Sequence, residues 1–252
     1  MSLVRGVVIV TVLTCTCACS TSGGPVYVLQ PVDINKRAFV PSARVSWNPE
    51  ASDDRRAASF TGGVEFQYSR GRVQSDQTLG SLDYISYGGQ SLFGPQDVRH
   101  FADLRYGHLA YNAVIRFRRV SRLELEVVAG IAQADLHLRS ESQVSGGGAL
   151  AQKYAFTGIA VGVGPRWNFT NELAVEGRLL FASNRPFSLL EHGDGYHDYL
   201  WYPELAFRYR PAKNVALRAG VSRLQYEPTI PGSTSSVYVV MRGPFVGLDV
   251  LF

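Results

Sequence analysis

The feature that most constrains this chain is a hydrophobic period of two. From Phe60 onward, apolar and polar residues alternate over segments of about ten residues, as on a strand whose successive side chains point to opposite faces. Phe60, Gly62, Val64, Phe66 and Tyr68 alternate with Thr61, Gly63, Glu65, Gln67 and Ser69. Seven further segments obey the same rule, among them Leu123, Leu125, Val127, Ala129 and Ile131 against Glu124 and Glu126. The last sets Val246, Leu248, Val250 and Phe252 against Gly247 and Asp249. In its upper half Arg242 falls on the apolar row, which predicts a bulge or register change near Gly243 and Pro244.

The connections are asymmetric. Tight turns are expected at 119–122, 170–171 and 211–214, and long polar loops at 71–103, 140–151, 185–197 and 227–235. Short turns on one rim, long loops on the other and an even strand number describe an all-β, eight-stranded antiparallel up-and-down transmembrane β-barrel over residues 58–252. Both ends of such a barrel emerge on the same side.

Alternation alone leaves open which face looks inward, since a soluble lipocalin-like barrel would line its interior with the apolar row around an apolar ligand. The polar row decides. It carries the acids Glu65, Glu124, Glu126, Glu172, Glu176, Glu204 and Asp249, and the arginines Arg116, Arg118, Arg166, Arg178, Arg208, Arg210 and Arg218. Lysine is nearly absent from these segments, and a planar guanidinium is the group that satisfies two carboxylates in a cramped lumen. The arginines and acids are therefore expected inside as a charge network, with the apolar row toward lipid. Tyr106, Tyr154, Trp167, Tyr199, Trp201 and Tyr209 sit near segment ends, where rings would anchor at a bilayer interface.

Upstream, Arg5 followed by an apolar run over residues 6–14 has the length of a secretory signal, here assigned to residues 1–18. Thr16-Cys17-Ala18-Cys19-Ser20 resembles the lipobox of bacterial lipoproteins. That resemblance makes Cys19 the lipidation candidate and Cys15 the second, with plain cleavage near Ala18 as the alternative. All three cysteines lie in this region, so none remains for a disulfide or a cysteine metal site downstream. Residues 19–57, with Pro25, Pro31, Pro41 and Pro49, read as an extended periplasmic tether. A hydrophobic content of 46% with 18% charged residues excludes a disordered chain, and the net charge of +4 is spread too thinly for a nucleic-acid partner.

The strand count, the loop asymmetry and a final strand ending in Phe252 resemble the small outer-membrane barrels of the OmpA transmembrane-domain and OmpX type. The resemblance covers residues 58–252 and implies a cell outer-membrane location in the lipid bilayer. It also implies recognition of Val246, Leu248, Val250 and Phe252 by the barrel-assembly machinery. A non-catalytic role follows, either in envelope structure or in binding an extracellular or envelope partner through the loops.

Signs of chemistry are sparse. Residues 180–184 resemble the His-x-Ser-Asn segment of outer-membrane lipid A deacylases, but Phe181 stands where that family needs its histidine, so Ser183 has no base. A lipid-modifying enzyme and a narrow ion pore remain the alternative activities. His192 and His197 lie among acids in one loop, which reads as an ordinary polar loop, and His100 and His108 as hydrogen-bonded rim residues. Gly146-Gly147-Gly148 precedes a strand and so cannot form a phosphate loop. No catalytic residue, metal or cofactor is expected. Tyr84, Tyr87, Leu92 and Phe93 make the first long loop more aromatic than solvation requires, which suits either a docking surface or a plug over the barrel mouth.

Overall fold

The computed structural model describes residues 27–47, 58–117, 122–184, 198–228 and 237–251. Among these residues every regular element is a strand: β1 (Val28–Leu29), β2 (Val32–Arg37), β3 (Ser42–Trp47), β4 (Ala58–Leu79), β5 (Asp83–Tyr87), β6 (Gln90–Phe93), β7 (Gln96–Phe117), β8 (Leu123–Ser142), β9 (Ala149–Asn168), β10 (Leu173–Ser183), β11 (Tyr199–Ala212), β12 (Val215–Glu227) and β13 (Val237–Leu251). The eight alternating segments correspond to β4 and β7 to β13, each antiparallel to the next.

Those eight do not close on one another. β3 lies between the first and last of them, antiparallel to β4 and parallel to β13, so the barrel has nine strands and is mixed. This corrects both the strand count and the tether. The segment broken by prolines carries its own alternation, Phe39, Ala43, Val45 and Trp47 outward against Ser42, Arg44 and Ser46 inward. β2 continues the line of β3 in the same register along β13, pairing Arg37 with Arg242 as Ser42 pairs with Gly247. Pro41 marks the break between them, and the ladder to β4 begins only after it, where a missing amide hydrogen does no harm.

An odd strand number has a topological consequence. β2 and β3 run from the rim that carries the longer connections down to the short-turn rim, where β13 also ends. The described chain therefore enters on the rim opposite Leu251, and the expectation that both ends share a side is overturned. β1 sits on the entry rim, pairing with β5 in a small three-stranded sheet with β6.

Two expected loops are largely strand. β4 and β7 pair without interruption from Ala58 and Phe117 up to Leu79 and Gln96, and β8 and β9 from Leu123 and Trp167 up to Glu141 and Ala149. Only the hairpin of β5 and β6 and the short turn at 143–148 remain as connections there. Gly88 and Gly89, at φ of 63° and 74°, supply the two left-handed residues of the β5–β6 turn. The loops at 185–197 and 229–236 lie outside the described residues. The bulge expected near Gly243 is absent, since β12 and β13 keep one register from Val215 and Val250 to Tyr226 and Val239.

The 22-residue β4 and β7 and the 20-residue β8 and β9 project beyond the 11-residue β10. The barrel thus has a lower storey bounded by all nine strands and an upper storey built mainly from the longer ones.

Candidate functional site

In the lower storey the outward rows are apolar and exposed. Val64, Phe66, Leu109, Tyr111, Ile131, Val161, Leu179, Leu205, Leu217 and Leu248 all face away from the barrel axis, with Phe207 the most exposed at 71%. Trp47, Phe117, Trp167, Phe169 and Tyr209 lie toward the short-turn rim, and Phe39, Tyr68 and Trp201 near the upper limit of the band. Tyr106 and Tyr154, expected among these outward rings, instead point inward and are buried.

The inward rows of the same storey hold buried charge. Arg44 from β3 crosses the lumen: its Nε and Nη2 donate to Asp249 Oδ1 at 3.1 Å and Oδ2 at 2.6 Å, and Nη2 reaches Glu176 Oε1 on the far wall at 3.4 Å. Arg218 donates from Nε to Asp249 Oδ1 at 2.7 Å and from Nη1 to Glu204 Oε1 at 2.5 Å. Arg166 links Glu176 Oε2 and Glu124 Oε2, both at 3.1 Å, and Arg208 Nε donates to Asp249 Oδ2 at 3.3 Å. On the opposite side Arg178 bonds Glu65 and Gln67, and His108 Nε2 lies 2.7 Å from Glu65 Oε1. Arg44 Nη1 approaches Glu126 Oε2 at 3.8 Å.

The network therefore includes Glu65, Glu124, Glu126, Arg166, Glu176, Arg178, Glu204, Arg208, Arg218 and Asp249 from the alternating segments. Of three other residues assigned to it, Arg116 joins only at the rim through Glu124, and Glu172 and Arg210 lie apart. Arg116 is exposed at the rim, donating to Glu124 Oε1 at 2.9 Å, and Glu172 is exposed in the β9–β10 turn. Arg210 turns to the carbonyl of Lys213 at 3.0 Å, because the strand ends there and the nearest acceptor is the turn backbone. Arg118 lies outside the described residues, as do Cys19 and Phe252, whereas Val246, Leu248 and Val250 occupy the outward row of β13.

Above this storey both faces change character, most sharply on β4, β7, β8 and β12 outward and on β7, β10 and β11 inward. Outward, Tyr68 gives way to Arg70 and Arg72, Leu109 and Gly107 to Arg105 and Asp103, Ile131 to Gln133 and Asp135, and Val221 to Arg223. Inward, the charges give way to Leu104, Tyr106, Leu136, Leu138, Leu150, Phe156, Leu224, Tyr226, Val239 and Met241, which form one buried apolar cluster. The β5–β6 hairpin closes it with Ile85, Tyr87 and Leu92. The opposite face of that hairpin carries Phe93, stacked on Tyr84 at 5.4 Å and meeting the edge of Tyr27 at 5.2 Å. The cap is tied down by a polar chain. Tyr87 OH donates to Ser140 Oγ, Ser140 bonds His100 Nδ1, and His100 Nε2 meets Gln77 Oε1 at 2.9 Å. Burial lowers the His100 pKa to about 4, so the ring is neutral near pH 7. Outside, Arg70 and Arg72 converge on Asp103, and these hydrogen bonds hold its carboxyl near 2.

Ser183 Oγ donates to the carbonyl of Asp198 at 3.1 Å, while Phe181 packs outward on Trp201 at 4.8 Å. His192 and His197 lie outside the described residues, and among those described no group of His, Cys, Asp and Glu is arranged to hold a metal. Comparison with known proteins gives no match: no family model fits the chain, and neither a curated relative nor a solved structure of significant similarity is found.

Proposed function

We propose that this chain is a non-catalytic integral outer-membrane β-barrel whose upper storey forms a closed head on one side of the bilayer. The observation that carries the reading is a pair of opposite reversals up the same barrel: the outward rows pass from apolar to charged while the inward rows pass from charged to apolar. A barrel wholly in water has no reason to expose such a band over a buried ion network, because burying its aliphatic side chains would each contribute roughly 1.5–3 kcal/mol. A bilayer reverses that balance. The 11 residues of β10 also match the roughly 9–11 residues with which a tilted strand crosses hydrocarbon.

The ion network across the lumen and the capped apolar core above it favour an envelope or loop-presenting role over solute flux. The loop asymmetry that resembles the OmpA and OmpX type supports this role, although nine mixed strands stand here in place of the eight antiparallel ones of that type. We take β13, with its outward Val246, Leu248 and Val250, to be the strand read by the assembly machinery. Lipidation at Cys19 is a separate proposal, and because the described chain enters on the longer-connection rim it would anchor the chain on that side rather than on the side of Leu251. The test is extraction of the full chain from cell envelopes, followed by electrophoresis of heated and unheated samples. A folded barrel needs detergent for extraction and migrates differently before heating. A chain that remains monomeric in detergent-free buffer overturns the reading in favour of a soluble barrel.

A further inference from the structure

Three arginines stand side by side on the outer wall of the barrel. Arg223 on β12 pairs with Arg242 on β13, and Arg242 pairs in turn with Arg37 on β2, so one row across three strands carries three guanidiniums. All three are exposed, as is the adjacent Lys36. Neighbouring strands lie about 4.8 Å apart, so the row spans roughly 10 Å, and like charges directly opposite on a sheet destabilise it. Among the described residues none of the three forms an ion pair with a carboxylate, and Arg223 Nη2 meets only the Tyr238 hydroxyl, at 3.4 Å. Glu204, which borders the same groove, commits its carboxylate to Arg218 inside the lumen. Asp33 is on the same side of β2 as Arg37 but four residues along it, roughly 13 Å away.

The groove that holds these side chains measures about 960 Å³, and its lower wall is apolar, formed by Leu205, Val221 and Pro244. The arginines thus begin where the exposed hydrophobic band ends. A ligand that fits must be anionic at one end, to relieve the repulsion in the row, and oily at the other. Guanidiniums match phosphate oxygens in bidentate fashion.

We propose that Arg37, Arg223 and Arg242 bind the phosphate of a lipid headgroup in the leaflet on the longer-connection side, with its acyl chains lying along the band below. This rests on the outer-membrane reading above. The row is cut from three strands by the register of β2, which continues the line of the closing strand β3 and pairs with β13 alone, so Arg37 reaches Arg223 and Arg242 only through that N-terminal segment.

The experiment uses the full chain in non-ionic detergent micelles and measures binding of bisphosphorylated lipid A, of the same lipid with its phosphates removed, and of inorganic phosphate. The parent protein binds the phosphorylated lipid at least tenfold more tightly than either other probe. Arg37→Gln, Arg223→Gln and Arg242→Gln together reduce that binding at least tenfold. A control that removes equal charge from another wall, Arg105→Gln with Arg139→Gln and Lys153→Gln, changes it less than twofold. Should the triple variant not fold, Arg242→Gln alone, the centre of the row, weakens binding at least threefold. A second readout is independent of affinity: without lipid the triple variant melts at a higher temperature than the parent, and the phosphorylated lipid raises only the parent. Equal binding by variant and parent, equal loss in the control, or equal binding of the dephosphorylated lipid overturns the proposal alone. A chain that needs no detergent overturns the membrane reading and this proposal with it.

Discussion

Arg44 is the residue on which the lower lumen turns. It reaches Asp249 beside it and Glu176 across the axis, and with Arg218 it holds Asp249 in an environment with no exposed surface. Breaking such a cluster from one side strands a buried charge. Arg44→Met is therefore expected to cost roughly 3–5 kcal/mol in chemical unfolding from micelles, whereas an outward Arg70→Met leaves the midpoint nearly unchanged. His100 makes the opposite kind of contribution, since it is buried neutral. Its folded pKa lies near 4, below the ordinary 6.5 of the unfolded chain, so the unfolded state takes up the proton first. Stability of the capped storey is full above about pH 6.5, falls as the pH drops toward 4 by at most about 3 kcal/mol, and is flat below that. Hydrogen exchange of the β5–β6 hairpin between pH 7 and 4 checks this, and His100→Gln is expected to flatten the profile.

The short N-terminal strand illustrates what an element needs in order to be seen. The alternating segments from β4 to β13 are long enough for period two to outweigh their glycines, and their acids and arginines could be placed on one row from spacing alone. β3 offers six residues between Pro41 and Pro49, too few for the pattern to compete with the prolines. Arg44 was hidden with it, although the sequence Ser42, Arg44, Ser46 against Ala43, Val45, Trp47 holds the signal. Arg210 and Glu172 show the converse failure, because parity fixes the face of a residue but not its height, and at a rim the inward row already meets water, as it does at Arg116 even though that residue keeps its pair with Glu124. Deleting residues 27–47 tests the element directly. A tether would be dispensable, whereas loss of a closing strand exposes the edges of β4 and β13 and is expected to abolish the compact, heat-sensitive form on gels. Within β3, Val45→Arg, paired with Phe66 between the two limits of the band, is expected to destabilise by about 2–4 kcal/mol in a bilayer, against about 0–1 kcal/mol for Asn35→Arg on β2 above the band.

At the scale of the molecule, the two storeys are opposite solutions to one problem. A lower ring with oily walls and a salt-bridged interior suits hydrocarbon, and an upper ring with charged walls and an oily interior suits water. Arg242, which looked misplaced on an apolar row, lies on the upper side of the change, so no bulge is needed to turn it away. The odd strand number separates the entry of the chain from its exit. A short epitope inserted ahead of Val28 is accordingly expected to be accessible on intact cells together with one in the 185–197 loop, while an epitope in the 170–171 turn is reached only after the outer membrane is opened.

Period two by itself determined that this chain forms strands, how many of the long ones there are, and which residues of each share a face, because the pleat places side chains with a fixed parity. It left undecided what each face meets, since the same alternation serves a barrel filled with oil or surrounded by it. Closure by a parallel strand, the level at which both faces reverse, and the meeting of Arg37, Arg223 and Arg242 in one row were decided only by the tertiary structure. Each depends on the register between strands distant in sequence, and that register is set by closing the barrel rather than by any local run of residues.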